Sequence, residues 1–192
     1  TWLEFESDVN EGIFVRIDRS RKLPVTILLR DIGYSTEQDV LEAFDHDPRL
    51  LAMLEKDGCE SMEDALLEIY KRLRPGEPLN VDNARSLFES LFFDNRRYDF
   101  GNVGRFKVNK KLSLRQRLLN QELAADIKDP ATGKIIFTEG TVIDDQRASQ
   151  IEKLNIDRAR VKGRDKVCLV LGNGNQSPET KHLTPMDIVA TV

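Results

Sequence analysis

The chain has 192 residues, of which 40% are hydrophobic and 32% charged, and its formal net charge is −4 at pH 7. No run reaches the roughly eighteen consecutive apolar residues of a transmembrane helix, and the N-terminus lacks the basic and then apolar segments of a signal peptide. The length is enough for one buried core or for two small ones.

The first half of the chain is predicted to form a β-hairpin and a cluster of helices. Apolar and polar residues alternate in WLEFE and in IFVRI, so we expect residues 2–17 to be two half-buried strands joined by a polar turn. Helices follow, bounded by N-cap residues such as Thr36 and Ser61 and by the stop signal Pro75-Gly76. We predict them over residues 24–33, 36–44, 48–56, 61–72 and 81–93.

The chain changes character from about Asn120 onward, where short β-prone runs are separated by turn signals such as Asp129-Pro130 and Glu139-Gly140. The segment DDQRASQIEKLNI predicts a short helix, KVCLVLG predicts a buried strand, and Thr184-Pro185 marks the start of a final helix. The sequence therefore predicts an α+β fold. Its hairpin and helices lie in residues 1–119, and a small β-rich module with a terminal helix lies in residues 120–192.

The charges are arranged in blocks of alternating sign. Residues 16–30 contain five basic residues and one acidic residue, residues 31–70 contain twelve acidic and two basic residues, and residues 96–117 contain eight basic residues and one acidic residue. A basic surface of this kind is typical of contact with nucleic-acid phosphates. From charge alone, a patchy solvated surface is an equally good interpretation.

Cys59 and Cys168 lie far apart in the sequence, and a disulfide between them depends on their distance in space. We favour a reduced pair, as in a cytosolic protein. The chain begins without methionine and ends in the apolar run MDIVATV, so we expect it to be a piece of a longer protein.

Residue patterns for catalysis are missing from the sequence. It has no glycine-rich loop ending in Gly-Lys-Ser/Thr, no cysteine or histidine cluster with zinc spacing, and two isolated histidines, His46 and His182. The aspartates at 45, 47, 144 and 145 are better interpreted as helix caps or loop residues than as a Mg²⁺ site. Because nucleotidyl transfer requires several carboxylates around two metal ions, we expect no chemistry and no cofactor on this chain alone.

Several long stretches resemble the β subunit of bacterial DNA-directed RNA polymerase, in the order that this family has them. They are WLEFE with FVRIDRSRKLPVTILLR, then LLEIYKRLRPGEP, then SLFESLFFDNRRYDFGNVGRFKVNKKL, and they cover residues 1–34 and 64–119. The resemblance implies that residues 1–119 are the lobe domain of that subunit. Residues 120–192 resemble, more loosely, the small β module that some of these subunits carry.

The resemblance also implies an activity and partners. The lobe is one jaw of the cleft that holds the downstream duplex DNA and the non-template strand while the assembled enzyme synthesises RNA. The catalytic aspartates and their Mg²⁺ belong to the β′ subunit. The implied partners are DNA, the rest of β, the β′, α and ω subunits, σ factor and accessory regulators, without a membrane, in the cytoplasm and at the nucleoid.

Site residues follow from the same resemblance. Trp2 matches a tryptophan that stacks on an unpaired non-template base, and Arg74 and Arg97 match arginines that face the non-template strand. The hairpin residues implied to face downstream DNA are Arg16, Arg19, Arg21 and Lys22. Each has a structural alternative: Trp2 can anchor the hairpin core, Arg74 can complement a helix dipole, and Arg97 can pair with Asp94 or Asp99.

Two other functions remain open at this point. The chain can be a stand-alone nucleic-acid-binding module. It can also be an interaction module that docks a regulator on the acidic segment 31–70 and does not touch DNA.

Overall fold

The computed structural model describes residues 1–97 and 99–192 and combines helices with small antiparallel sheets, which confirms the predicted α+β class. The chain forms two compact units, Thr1–Tyr98 with Val192, and Asp99–Thr191. Within the described residues, no helix has both the length and the apolar character that crossing a bilayer requires.

The first unit begins with a three-stranded antiparallel sheet made of β1 (Leu3–Ser7), β2 (Ile13–Ile17) and β3 (Leu23–Pro24), with β2 in the centre. β1 and β2 pair from Leu3 opposite Ile17 to Ser7 opposite Ile13, as the alternating pattern predicts. The side chains of Val15 and Ile17 are fully buried on one face of this sheet. The hairpin prediction is confirmed, and the two-residue strand β3 was too short to be predicted.

Five helices complete the first unit: α1 (Val25–Asp31), α2 (Glu37–Ala43), α3 (Pro48–Asp57), α4 (Met62–Leu73) and α5 (Val81–Phe92). These confirm the predicted helices to within one or two residues at most ends. Thr36 and Ser61 each form a capping box with the aspartate three residues later, so both N-cap predictions are correct. Residues 25–30 of α1 are all buried, because α1 is the central helix that packs against both α3 and α4.

A buried ion pair ties α1 to the end of α3. Arg30 Nε lies 3.1 Å from Asp57 Oδ2, and both side chains are 2% exposed. The Arg30 guanidinium also donates to the Ser35 carbonyl at 2.9 Å. Separating the end of α3 from α1 would leave an uncompensated charge in the core. The pair therefore holds α1 and the end of α3 in contact.

The second unit contains α6 (Gly101–Leu112), α7 (Leu114–Leu118), β4 (Ile127–Lys128), β5 (Ile135–Phe137), α8 (Asp145–Lys153), β6 (Arg158–Lys162), β7 (Val167–Leu171) and α9 (Pro185–Thr191). β4 pairs with β5, and β6 pairs with β7, both in antiparallel fashion. The β-prone runs, the short helix and the final helix were predicted. The run KVCLVLG does form β7, but its prediction as a buried strand is wrong, because Val167 is exposed and the other four residues are half-buried. The core is formed by Leu114, Leu118, Leu123, Ile127, Ile143, Ala148, Ile151, Ala159 and Val161.

Helices α6 and α7 belong to this second unit because α6 packs on α9 and α7 packs on α8 and β7. The unit boundary therefore falls between residues 98 and 99. The predicted division into residues 1–119 and 120–192 was drawn from the family resemblance, which is strong only in the first of these parts. It stays a prediction.

Cys59 and Cys168 are free cysteines in this structure, and their reduced state in the cell stays a prediction. Cys59 lies in the first unit and Cys168 in the second. Cys59 is buried, and this burial, helped by the nearby Asp57 carboxylate, raises the pKa of its thiol to about 11.

Candidate nucleic-acid interface

Trp2 lies at the open end of the β1–β2 hairpin. Its carbonyl accepts a hydrogen bond from the Asp18 N–H at 3.0 Å, which holds it beside the end of β2. The indole is 70% exposed, whereas Val15 and Ile17 supply the buried side of the hairpin. The interpretation of Trp2 as a core anchor is therefore wrong, and its ring is available to a ligand.

The turn after β2 presents Arg19 beside Trp2. Asp18 and Arg19 have φ values of 47° and 62°, and the Ser20 N–H donates to the Ile17 carbonyl at 3.0 Å. Positive φ at both central residues is typical of a type I′ turn, a conformation that Asp tolerates but Arg rarely adopts. The Arg19 side chain is exposed on this turn and forms no ion pair within residues 1–97 and 99–192.

The other basic residues of the sheet differ in availability. Arg21 is exposed. Lys22 is also exposed, but its Nζ lies over the Phe14 ring, 4.4 Å from the ring centroid. Arg16 is half-buried, and its Nε lies 3.1 Å from Glu6 Oε1 on the neighbouring strand. Of the four residues predicted to contact DNA, Arg19 and Arg21 thus have the side chains most available to a ligand, and Arg16 has the least available one.

Arg74 is exposed at the C-terminal end of α4, where its N–H donates to the Tyr70 carbonyl at 2.8 Å. Two residues earlier, the Arg72 guanidinium donates to the Lys22 carbonyl at 3.3 Å, so this end of α4 contacts the strand connection that carries Arg21 and Lys22. Arg74 follows this contact in the chain, two residues after Arg72. Its position at the helix end also suits the alternative role of complementing the helix dipole.

Arg97 is exposed in the turn after α5, and its N–H donates to the Asp94 carbonyl at 3.1 Å. Helices α4 and α5 pack together and are joined by the short connection 74–80, so Arg97 follows the far end of α5. Helix α5, which lies between Arg74 and Arg97 in the chain, has twelve residues and is about 18 Å long. In the described part of the chain, Arg97 makes no side-chain ion pair with Asp94 or Asp99.

The basic segment 96–117 is less available than its charge implies, since three of its arginines serve the second unit. Arg105 is buried against Asp187, and Arg115 pairs with Asp145 and Glu152, which raises its pKa. Arg117 donates to the carbonyls of Lys111, Leu171 and Ala190, and its partial burial lowers its pKa. The residues of this segment that remain exposed are Arg96, Arg97, Lys107, Lys110 and Lys111.

Among the histidine, cysteine, aspartate and glutamate side chains of residues 1–97 and 99–192, no group of three or more is placed to hold a metal ion. Asp47 and Asp144 cap α3 and α8, accepting hydrogen bonds from the N–H groups of Arg49 and Arg147. These two residues therefore have the structural role that the sequence predicted.

The first two thirds of the chain match a known protein family. The model of the family RNA polymerase Rpb2, domain 2, matches residues 1–128. The chain belongs to this family. The Rpb2 domain 2 match spans the hairpin, the helices α1–α5, and also α6 and α7 of the second unit.

Whole-chain comparisons agree with the family match. DNA-directed RNA polymerase subunit beta of Clostridium botulinum strain Hall is 50% identical over 187 residues, which are 97% of this chain and 15% of that protein. The subunit of C. botulinum strain Okra is 52% identical over 172 residues, or 90% of this chain and 14% of that protein. That of Clostridium kluyveri is 51% identical over the same shares. The chain thus spans 14–15% of the length of these relatives.

Sequence reasoning missed one exposed surface. The outer side of α6 carries Val103 and Phe106, which are 68% and 67% exposed, next to Lys107 and Lys110. The available signal was the interleaving of apolar and basic residues three and four positions apart in the segment VGRFKVNK.

Proposed function

We propose that this chain is the lobe of the β subunit of a DNA-dependent RNA polymerase, and that its hairpin end contacts the unpaired non-template strand and the downstream duplex. The observation that carries this proposal is the pairing of an indole that is 70% exposed with the exposed Arg19 turn at the same end of the hairpin.

The chemistry of these two side chains suits an unpaired base and its phosphate. A base stacked on an aromatic ring contributes about 1–3 kcal/mol and tolerates different bases, since every base has a π-face. Arginines contact phosphates without reading the sequence and so position the strand. Trp2 would stack on the base, while Arg19 and Arg21, together with Lys22 and Arg74 on the adjoining surface, would contact phosphates.

The remaining roles belong to the assembled enzyme. We propose that the other parts of β and the β′, α and ω subunits supply the nucleotidyl transfer, with Mg²⁺ bound by β′, and that σ factor and accessory regulators are further partners. The site of action would be the cytoplasm, at the nucleoid. Both the family match and the subunit identity of the relatives support this proposal.

Docking of a regulator on the acidic segment 31–70 has less support. Asp57 forms the buried ion pair with Arg30, and Asp39 and Asp64 accept hydrogen bonds in capping boxes. These three carboxylates of the segment therefore have partners within the chain and are less available to a regulator.

The salt dependence of DNA affinity tests the proposal. Binding of fluorescein-labelled fork DNA to the 192-residue chain is measured by anisotropy at several salt concentrations, for the parent and for Arg19→Gln and Arg21→Gln. Each substitution should weaken binding and reduce the log–log salt slope by about 1. Arg164→Gln, an exposed arginine of the second unit, is the matched control and should leave the slope unchanged. Equal slopes for all four proteins would contradict the proposal.

A further inference from the structure

The outer face of α6 carries an unusual set of exposed side chains. Val103 and Phe106 are three residues apart, and Lys107 and Lys110 fall on the same side of the helix by its period of about 3.6 residues. All four side chains are exposed. Neither lysine forms an ion pair with the part of the chain that the structure describes.

This exposure is enforced by the opposite face of the helix. Arg105 is fully buried and forms a two-point ion pair with Asp187, and Asn109 donates to the Gln176 carbonyl at 2.9 Å. The Arg105 guanidinium also lies 5.0 Å from the Phe100 ring. Because these contacts fix the rotation of α6 about its axis, Phe106 cannot turn into the core.

Phe106 and Lys110 form one side of a cleft of about 240 Å³ that lies wholly within the second unit. This volume is below the roughly 300–1,000 Å³ that is common for small-molecule sites, and it suits one flat ring system better than a large ligand. Across from the helix, the cleft presents the amide side chains of Gln116, Asn175 and Gln176.

The guanidinium of Arg115, in the wall of this cleft, is engaged by carboxylates. Arg115 lines the cleft, and its terminal nitrogens lie 2.8 Å from Asp145 and 3.4 Å from Glu152. Its Nε is buried without a hydrogen-bond acceptor. Because this Nε is buried, a ligand in the cleft does not reach it, and the terminal nitrogens of Arg115 are already paired with carboxylates. Lys110 is therefore the lining residue that offers a cation to a phosphate.

We propose that this cleft binds one unpaired nucleotide of a single-stranded nucleic acid, with the base against Phe106 and the phosphate on Lys110. The amides supply the mixed donors and acceptors that a base edge requires, and the two lysines complement the backbone charge. The carboxylates of an acidic peptide would use the lysines but have no flat ring to stack on Phe106. The inference rests on the proposed function and adds to it a second strand contact, in the other unit of the chain.

A tryptophan reporter at position 106 tests the inference. In the whole chain, Trp2→Phe combined with Phe106→Trp leaves a single indole in the cleft. A single-stranded oligonucleotide at low salt should quench its fluorescence, a duplex of the same sequence should quench it less, and inorganic polyphosphate should not quench it. Circular dichroism and thermal melting confirm that the reporter protein is folded.

A second set of variants removes the dependence on the reporter. By anisotropy, Phe106→Ala and Lys110→Gln should each weaken binding of a labelled single strand, the former by about fivefold or more if the base stacks on the ring. Ile135→Ala and Lys134→Gln change exposed residues elsewhere in the second unit and should leave binding unchanged.

The outcomes separate this inference from the function on which it rests. If the native Trp2 signal responds to DNA but the reporter at position 106 does not, the cleft proposal fails and the hairpin proposal stands. If only the reporter responds, the cleft proposal stands and the hairpin proposal fails. Equal quenching by polyphosphate or by an acidic peptide would overturn the cleft proposal and leave a general electrostatic or protein-docking surface.

Discussion

Arg105 and Asp187 form a buried two-point ion pair that joins α6 to α9. Arg105 Nη1 lies 2.8 Å from Asp187 Oδ1, Nη2 lies 2.9 Å from Oδ2, and the side chains are 0% and 1% exposed. The carbonyls of Thr180 and His182 accept further hydrogen bonds from the guanidinium, while the Asn173 amide and the Thr184 hydroxyl donate to the carboxylate. The pair therefore joins the two helices that flank residues 113–184, the segment that contains the β-rich module.

Removal of one partner of this pair should strongly destabilise the second unit. Asp187→Asn or Arg105→Met leaves a buried charge uncompensated, and we expect a loss of about 3–5 kcal/mol in the free energy of unfolding. Urea titrations followed by circular dichroism measure the change. The double variant Arg105→Met/Asp187→Leu should be less damaging than the sum of the single losses. Strictly additive losses would show that the pair is not coupled.

Asp31 should make the stability of the first unit depend on pH. Burial raises its pKa from 3.8 to about 7, while Arg85 lowers it and Glu89 raises it by smaller amounts. Between these two values the unfolded chain has released a proton that the folded chain still holds, so stability falls as pH rises through this window and then levels off. The slope is at most about 1.4 kcal/mol per pH unit.

Substitution of Asp31 by asparagine should remove this contribution, and urea unfolding across the same pH range measures the difference from the parent. Asp165→Asn, in an exposed turn of the second unit, is the matched control and should keep the parental profile. A parental profile in the Asp31→Asn variant would mean that another group causes the dependence.

The two cysteines should differ in reactivity. Cys59 is buried and its thiol pKa is raised to about 11, so little thiolate forms at mildly alkaline pH. Cys168 is only half-buried. A colorimetric thiol reagent should therefore label Cys168 quickly and Cys59 only after denaturation. Cys168→Ser should abolish the fast phase and Cys59→Ser should retain it; the reverse pattern would contradict the burial of Cys59.

Arg74 and Arg97 should respond differently to the length of a bound strand. Helix α5, about 18 Å long, lies between them in the chain, so we expect that a strand bound at the hairpin end needs more than a few nucleotides to reach both. Arg97→Gln should weaken the binding of oligonucleotides long enough to reach both and should not affect shorter ones that bind at the hairpin end. Anisotropy with a series of oligonucleotide lengths checks this, and equal losses at all lengths would place Arg97 in the hairpin site.

Local signals were sufficient to predict most of the first unit. The helices α2 and α4 begin at capping boxes, and α4 and α5 each bury one apolar face, with Ile69 and Phe88 among the buried residues. The hairpin followed from strict alternation. These elements agree with their sequence pattern because each packs one apolar side against a common core.

The second unit was harder to predict for a physical reason that α6 illustrates. This helix buries Arg105 and exposes Val103 and Phe106, so its buried side is not its apolar side. The charge of Arg105 is neutralised by Asp187, which lies far along the chain and is invisible to a local pattern. Strand β6, with the sequence RARVK, was missed although its residues alternate between exposed and buried, because its two buried side chains, Ala159 and Val161, are small.

The candidate site was predictable only through the family resemblance. Composition and periodicity cannot show that the indole of Trp2 is exposed, because an aromatic residue at the start of a strand suits a core equally well. The basic blocks also overstated the available charge, since Arg105 and Arg117 satisfy internal carbonyls and a carboxylate.

The intrinsic fluorescence of Trp2 tests the central claim most directly, because it is the only tryptophan in the chain. The whole chain is titrated at low salt with a fork DNA that carries an unpaired non-template base, and with a fully paired duplex of the same length. Stacking on the exposed indole predicts quenching by the fork and little change with the duplex. Equal responses to both DNAs, or none to the fork at saturating concentration, would contradict a hairpin end that receives an unpaired base.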